Sequence, residues 1–282
     1  MINNKLVLFL IGMLISFGFY SCQDVIKINI PNSTPTLSVD GILSNRTLGG
    51  DTIKLSTTTN YFSNNSFSPY SGAKVMITDS FGGMESLTEV APGKFPIVTT
   101  KPVIGHFYTL DIFTSSDHFR AVAHINRISP TLDSIKFQYQ KKTIQYDTAG
   151  YYLYFFGQEL KGPGDYAWIR VYKNNNLLNQ PSDLFPVSDQ FTDGKYYKGV
   201  GIRTHEAFQI NDIARVEIWS ISKDAYNYLS EIQTQINNRG IFATTPSNVS
   251  SNIINMNPFS SAKATGHFIG SLVESIEQPV SF

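Results

Sequence analysis

The chain has 282 residues with 22 basic and 22 acidic side chains, so its formal net charge at pH 7 is +0. This balance excludes the excess of positive charge with which a protein attracts nucleic acid or an anionic membrane surface. Aromatic residues make up 13% of the chain and charged residues only 16%. Low charge combined with many aromatic residues is typical of a folded, β-rich extracytoplasmic protein and excludes intrinsic disorder.

The first 21 residues have the pattern of a secretory signal peptide. Lys5 supplies a positive charge, and the segment from Leu6 to Phe19 is apolar, interrupted only by glycine and serine. A basic start, an apolar stretch of about 7–15 residues and a small residue at the cleavage site define such a signal. The apolar segment is shorter than the about 20 residues that a membrane-spanning helix needs. We therefore predict a signal peptide over residues 1–21.

Cys22, the only cysteine in the chain, directly follows the predicted cleavage site. This placement resembles a bacterial lipobox, in which the thiol receives a diacylglycerol group, and predicts a lipid anchor and tether over residues 22–35. Ser21 fits that pattern, whereas Phe19 and Tyr20 stand where Leu and a small residue are usual. Two alternatives remain open: a buried cysteine without a special role, and ordinary secretion with cleavage elsewhere. A single cysteine argues against a disulfide framework.

Short strand-like segments follow one another over residues 36–129. Glycine pairs and Pro-Gly supply turns between them, and several segments alternate apolar and polar residues, as strands with one buried face do. We predict an N-terminal antiparallel β-sandwich of the immunoglobulin-like or transthyretin-like type over this range. The predicted strands cover residues 36–43, 51–59, 73–79, 84–90, 93–97, 107–114 and 118–125.

Pro130 interrupts the pattern and marks the predicted start of a second β-rich domain over residues 130–282. Its predicted strands are longer and more aromatic. The strand that begins at Tyr151 is apolar on both faces, which is more typical of the centre of a sheet than of a ligand platform. The predicted strands cover residues 133–140, 151–160, 166–174, 213–222 and 265–275.

One amphipathic helix is predicted within this second domain, over about residues 223–239. Ser222 is suited to be its N-cap, and apolar residues that include Ala225 and Leu229 follow at helical spacing. Gly240 stands where a left-handed C-cap belongs. The apolar stripe of this helix is expected to pack on the second sheet.

The stretch from residue 174 to 200 is rich in Asn, Asp, Pro and Gly and is predicted to be a long loop, a kind of segment that often carries function. Its aromatic residues are candidates for a surface that binds a ligand or partner, although such side chains often pack into a local core instead. They are Phe185, Phe191, Tyr196 and Tyr197. A second polar loop is predicted over residues 244–262.

No metal-binding, nucleotide-binding or nucleophile motif is present among the histidines, carboxylates and serines of the sequence. His118 and His124 lie too far apart along one strand, about 20 Å, to share a metal ion. Asp165, Asp189 and Asp193 fall in predicted loops, where we expect solvated carboxylates. We therefore predict neither a catalytic residue, nor a metal site, nor a cofactor.

Three Asp-Ser/Thr-apolar tripeptides resemble the O-glycosylation motif of exported Bacteroidota proteins. They make Thr52, Ser134 and Thr148 candidate acceptors. Two of the three stand at predicted strand starts, where Asp and Ser/Thr are common for structural reasons, so chance occurrence is the alternative.

Longer phrases resemble one family over nearly the whole mature chain. They include LSVDGIL, YSGAKVMITDSFGG, GHFYTLDIF, SPTLDSIKF, ATGHFIGS and, most specifically, the helix and following loop ISKDAYNYLSEIQTQINNRGIFATTPSNVSSNI. Together with the lipobox-type start, these phrases resemble the Bacteroidota outer-membrane lipoproteins described as domain of unknown function 4249. The resemblance implies an accessory role at a TonB-dependent outer-membrane transporter of the SusC type, and it transfers no catalytic residue.

The expected function is therefore that of a non-enzymatic outer-membrane lipoprotein, bound to the membrane through Cys22 and to an outer-membrane protein partner. The cell surface is favoured over the periplasmic face, since Asp24 places one acid just after the anchor. Two alternatives remain: a stand-alone glycan- or peptide-binding module, and a hydrolase with an unrecognised site.

Overall fold

The structure is a computed structural model that describes residues 34–47, 50–59, 67–238 and 243–281. It confirms the predicted mainly β class, with one helix. The first half contains β1 (Leu37–Ser44), β2 (Asp51–Thr57), β3 (Ser68–Pro69), β4 (Lys74–Asp79), β5 (Met84–Leu87), β6 (Lys94–Ile97), β7 (Phe107–Phe113) and β8 (His118–His124).

The second half contains nine further strands and the helix. They are β9 (Ser134–Gln140), β10 (Gly150–Gln158), β11 (Tyr166–Lys173), β12 (Asn176–Leu177), β13 (Phe185–Ser188), β14 (Tyr196–Ile202), β15 (Ile213–Ile221), α1 (Lys223–Asn237), β16 (Ile254–Asn255) and β17 (Ala264–Pro279). A short 3-10 turn, Pro181–Asp183, lies between β12 and β13.

The last strand, β17, organises the largest sheet. Its first eight residues pair in parallel with β1, and its last eight pair antiparallel with β15. The resulting sheet has nine strands, in the order β12-β11-β15-β17-β1-β2-β3, with β13 also on β11 and β6 also on β2. One continuous strand therefore connects the two halves of the chain.

Two smaller sheets cover this large sheet and enclose two cores. A five-stranded sheet, β16-β8-β7-β4-β5, closes the first core, in which Leu43, Ile53 and Leu110 are fully buried. A three-stranded sheet, β14-β10-β9, closes the second core, which includes Phe155 and Ile218. Residues 35–282 form one compact unit, and the boundary between residues 129 and 130 stays a prediction.

The helix α1 packs on the face of the large sheet that is turned away from these cores. Ala225 and Leu229 are buried there against Trp219. Alternate β15 residues point to opposite faces, so Trp219 and Ile218 belong to different clusters. As predicted, the hydroxyl of Ser222 caps the first turn, accepting a hydrogen bond from the Ala225 amide at 3.4 Å.

The helix ends at Asn237, two residues before the predicted end. The predicted C-cap, Gly240, lies outside the described residues. Within the described residues, no helix is long and apolar enough to cross a membrane.

The prediction of one long loop over residues 174–200 was wrong, because this stretch contributes strands to two sheets. β13 pairs with β11, and β14 pairs with the central strand β10. Gly199, which contributed to the loop prediction, and the nearby Gly201 leave room for the rings of Phe156 and Tyr154 on β10, since a Cβ at either glycine would come within about 3 Å of those rings. The polar stretch 244–262 likewise contains the short strand β16.

Candidate functional site

A cavity of about 230 Å³ lies between the two sheets of the second half. Its walls are mainly apolar: Phe155 comes from β10, Ile169 from β11 and Ile218 from β15, while Val187 and Val200 come from β13 and β14. An engineered apolar cavity of about 150 Å³ is large enough to bind benzene. The space is therefore sufficient for a group somewhat larger than one aromatic ring.

Three carboxylates line the same cavity: Glu159 at the end of β10, Asp165 at the start of β11, and Asp189 at the end of β13. Glu159 and Asp189 are buried. Glu159 accepts a hydrogen bond from the hydroxyl of Tyr197, and Asp189 accepts one from the amide of Gly164 at 2.9 Å. The cavity is thus apolar over most of its wall and acidic at one end.

Asp165 is the carboxylate with unused hydrogen-bonding capacity. Its Oδ1 lies 3.0 Å from Nε of Arg127, whereas its Oδ2 is buried and has no hydrogen-bond partner within the described residues. Burial raises the pKa of Asp165 to about 6; Arg127 opposes this rise, and the negative charges of Glu159 and Asp189 add to it. A buried acceptor oxygen without a donor is an energetically costly feature.

The expectation that these loop carboxylates are all solvated was therefore wrong for Asp165 and Asp189. Asp165 precedes β11 and Asp189 follows β13, and the pairing of these two strands places both carboxylates at the same cavity. Asp193 is exposed as expected, with its Oδ1 accepting the Gly162 amide at 2.8 Å. The sequence alone carried no signal for this convergence, because residues 165 and 189 meet only through the pairing of β11 with β13.

The four aromatic residues predicted as a ligand or partner surface have different environments. Tyr197 lines the cavity and packs edge-on against Phe155, with 5.4 Å between ring centres. Phe185 is half-buried against the second core. Phe191 and Tyr196 are exposed, by 78% and 43%. No ring contact joins any two of the four.

Burial, with the hydrogen bond to Glu159, raises the pKa of Tyr197 above its ordinary value. The hydroxyl therefore stays protonated at neutral pH and serves as the donor to that carboxylate. This polar contact closes one side of the acidic end of the cavity.

A second, more open cleft of about 390 Å³ is lined by His205 and Ser182. Nδ1 of His205 lies 2.5 Å from the carboxylate of Asp183, which also accepts the backbone amides of His205 and Gln180. Within the described residues no hydrogen bond joins Ser182 to His205, so the nucleophile–base contact of a hydrolase is not formed.

This histidine–aspartate pair is one of four among the described residues, and the sequence holds five histidines. A contact that recurs at four separate places is better explained as a way to fix loops and strand ends than as a catalytic device. The other three pairs are His106–Asp79, His118–Asp111 and His267–Asp224. In the described part of the chain, no group of three or more His, Cys, Asp or Glu side chains is arranged to hold a metal ion.

A separate surface of exposed apolar side chains lies where the described chain begins. β1 starts at Leu37, opposite Ala264 of β17. The turn between β7 and β8 lies near the start of β17: the amide of Met256 donates to the carbonyl of His118 at 2.7 Å, and Nδ2 of Asn255 donates to the carbonyl of Ala262 at 2.9 Å. We call this set the tether-end surface, and it comprises Phe67, Phe113, Ile254, Met256 and Phe259.

The remaining candidate residues have separate locations. Cys22 lies outside the described residues. Thr52 on β2 and Ser134 at the start of β9 are half-buried. Thr148 is exposed, and its hydroxyl accepts the amide of Ala207 at 3.0 Å.

Comparison with known proteins gives one family. None of the curated proteins compared is significantly similar to the chain. The sequence profile of the family described as "Domain of unknown function (DUF4249)" matches residues 23–277, which is most of the chain. The chain therefore belongs to this DUF4249 family.

Proposed function

We propose that the protein is a non-enzymatic, lipid-anchored accessory component of an outer-membrane complex, and that it docks on a TonB-dependent transporter of the SusC type. Three observations support this proposal: the signal and lipobox-type start, the membership of the DUF4249 family, and the tether-end surface. The tether-end surface carries the structural part of the argument.

The tether keeps this surface near the membrane. The segment from Cys22 to Thr34 has 13 residues, and 13 fully extended residues span at most about 45 Å. An anchor at Cys22 thus restrains the end of the sheets at which β1 begins. A partner embedded in the same membrane is therefore within reach of this end.

The tether-end surface has the character of a contact site. Phe259 is 97% exposed, and the other four members of the surface are exposed apolar side chains too. Single exposed apolar residues are ordinary on protein surfaces, but grouped ones mark interaction sites. Large aromatic and methionine side chains are also enriched in interfaces between proteins.

Co-purification tests the proposal directly. The lipidated protein is extracted from outer membranes with a mild detergent, and the proteins that accompany it are identified and quantified. We expect a TonB-dependent transporter in the wild-type sample and about tenfold less of it with Phe259→Asp, because the change places a charge in the contact.

The matched control is Phe81→Asp. Phe81 is 78% exposed in the turn between β4 and β5. It lies at the opposite end of the strands, because Lys74 of β4 pairs with Phe113 whereas Asp79 pairs with Tyr108. Recovery of wild-type protein without a transporter would contradict the proposal, as would equal recovery with both variants.

We further propose that the protein is displayed on the cell surface, supported by the single acid, Asp24, just after the anchor. Protease treatment of intact cells tests this. Degradation without cell lysis is the expected result, and full protection until lysis would place the protein on the periplasmic face.

A glycan- or peptide-binding function is the second candidate, favoured by the exposed rings of Phe191 and Tyr196. It predicts hits on a glycan or peptide array that are lost with Tyr196→Ala. Tyr139→Ala is the control, since Tyr139 is also exposed but lies on β9. An array without hits would remove this candidate.

A further inference from the structure

We propose that the cavity between the sheets of the second half binds an apolar organic cation, in which a primary ammonium group is attached to a body about the size of one aromatic ring. The inference is independent of the lipid anchor and of the transporter. The cavity is separate from the tether-end surface through which we propose that the protein binds a transporter.

The size and lining of the cavity define the apolar part of the ligand. The volume of about 230 Å³ exceeds that of a benzene-binding cavity of about 150 Å³ by roughly the space of a short alkyl chain. Phe155, Ile169 and Ile218 supply side-chain surface from three strands of the two facing sheets. Such a pocket gains affinity from burying an apolar ligand body.

The charges at one end define the polar part. Glu159, Asp165 and Asp189 all line the cavity, and Arg127 is the one cation within ion-pair distance of any of them among the described residues. Its guanidinium is also held elsewhere, since Nη1 donates to the Gly162 carbonyl at 2.7 Å. The second terminal nitrogen, Nη2, donates to the carbonyl of residue 161 at 2.8 Å. The site thus retains an excess of negative charge.

Asp165 is the lining carboxylate that has one oxygen without a hydrogen-bond partner. This oxygen is buried and accepts no hydrogen bond from the described residues. An ammonium group supplies the positive charge that three carboxylates and one arginine leave unbalanced, and it donates hydrogen bonds to carboxylate oxygens. A neutral alcohol supplies at most a weaker hydrogen bond, and a carboxylate is repelled by the charges already present.

Two probes of nearly equal size separate these contributions. Phenethylamine and 2-phenylethanol share the aromatic ring and the two-carbon chain. The first carries an ammonium group where the second carries a hydroxyl. Their affinities for the mature chain are measured by calorimetric titration and by NMR at a pH above the pKa of Asp165. We expect phenethylamine to bind about tenfold more tightly or better.

Variants assign this preference to the cavity. Asp165→Asn keeps an oxygen for Arg127 but removes the charge, and it is expected to abolish the difference between the two probes. Asp147→Asn, at an exposed carboxylate outside the cavity lining, is expected to leave the difference unchanged. Val187→Trp, at a partly exposed wall residue, is expected to reduce the binding of both probes.

Three results would overturn the proposal. The first is no detectable binding of phenethylamine by the wild-type chain. The second is equal binding of the amine and the alcohol. The third is a preference for the amine that survives Asp165→Asn. The first two need no variant and hold even if a substitution impairs folding.

Discussion

Tyr197 of β14 donates its hydroxyl hydrogen to the carboxylate of Glu159 at the end of β10. The two residues lie 38 positions apart in the chain and meet because β10 and β14 are neighbouring strands. An aromatic side chain that the sequence placed on a long loop is therefore part of a cavity wall. Its hydroxyl satisfies a buried carboxylate.

Tyr197→Phe tests how much this hydrogen bond contributes to the stability of the fold. Removing the donor leaves one oxygen of the buried Glu159 carboxylate unsatisfied, which costs about 1–3 kcal/mol. We expect a loss of this size in the free energy of unfolding measured with urea. Tyr196→Phe is the control, since this neighbouring ring is exposed, and a change within about 0.5 kcal/mol is expected there. Equal effects of the two changes would show that the contact contributes nothing.

Gly266 is required where β17 runs beside β1. Its φ is +96°, and a Cβ at this residue would lie 1.9 Å from the carbonyl oxygen of Val39. Gly266→Ala therefore combines backbone strain with a clash against main-chain atoms, and we expect a loss of roughly 3 kcal/mol or more in the free energy of unfolding.

Gly72→Ala separates the two effects of that substitution. Gly72 has a similar φ of +81°, but nothing lies within 4 Å of its Cβ position. It should therefore show only the cost of left-handed backbone, about 1–2 kcal/mol. Equal losses at both glycines would rule out the close approach of the two strands.

Glu85 should make stability depend on acid pH. Partial burial raises its pKa, but hydrogen bonds from Thr100, Val98 and Thr99 outweigh burial and hold the pKa at about 2, against an ordinary value of 4.5. Since the folded pKa is the lower one, the stabilisation is complete above pH 4.5 and is lost as the pH falls toward 2.

Glu85→Gln should accordingly cost about 1–2 kcal/mol at neutral pH, with a smaller cost at each step below pH 4.5. Urea unfolding curves recorded across this range measure the difference between the two proteins. Glu274→Gln, at an exposed carboxylate on β17, is the control. A cost that does not change with pH would contradict the role assigned to the ionised carboxylate.

Local patterns in the sequence predicted most individual strands. Ile53 and Leu55 are buried on β2 while Lys54 between them is exposed, which is the alternation that identified this strand. Ser222 likewise identified the start of α1. These features depend on residues a few positions apart, and such relations can be read directly from a sequence.

The cavity and part of the sheet could not be predicted in this way. Gly199 and Gly201 of β14 look like loop residues until Phe156 and Tyr154 of β10 are seen beside them. The parallel pairing of Val39 with Gly266 joins residues from opposite ends of the chain. The acidic end of the cavity also depends on the pairing of strands that are distant in the sequence, so no local sequence pattern predicts it.

The lipid anchor at Cys22 is the central claim of this account, and metabolic labelling tests it most directly. Cells that express the wild-type precursor or Cys22→Ala are grown with a clickable fatty acid, and lipid label and protein are quantified in the outer-membrane fraction. The account predicts label on the wild-type protein, and for Cys22→Ala the loss of both label and outer-membrane location with an unchanged unfolding curve. A Cys22→Ala protein that stays in the outer membrane with undiminished label would contradict it.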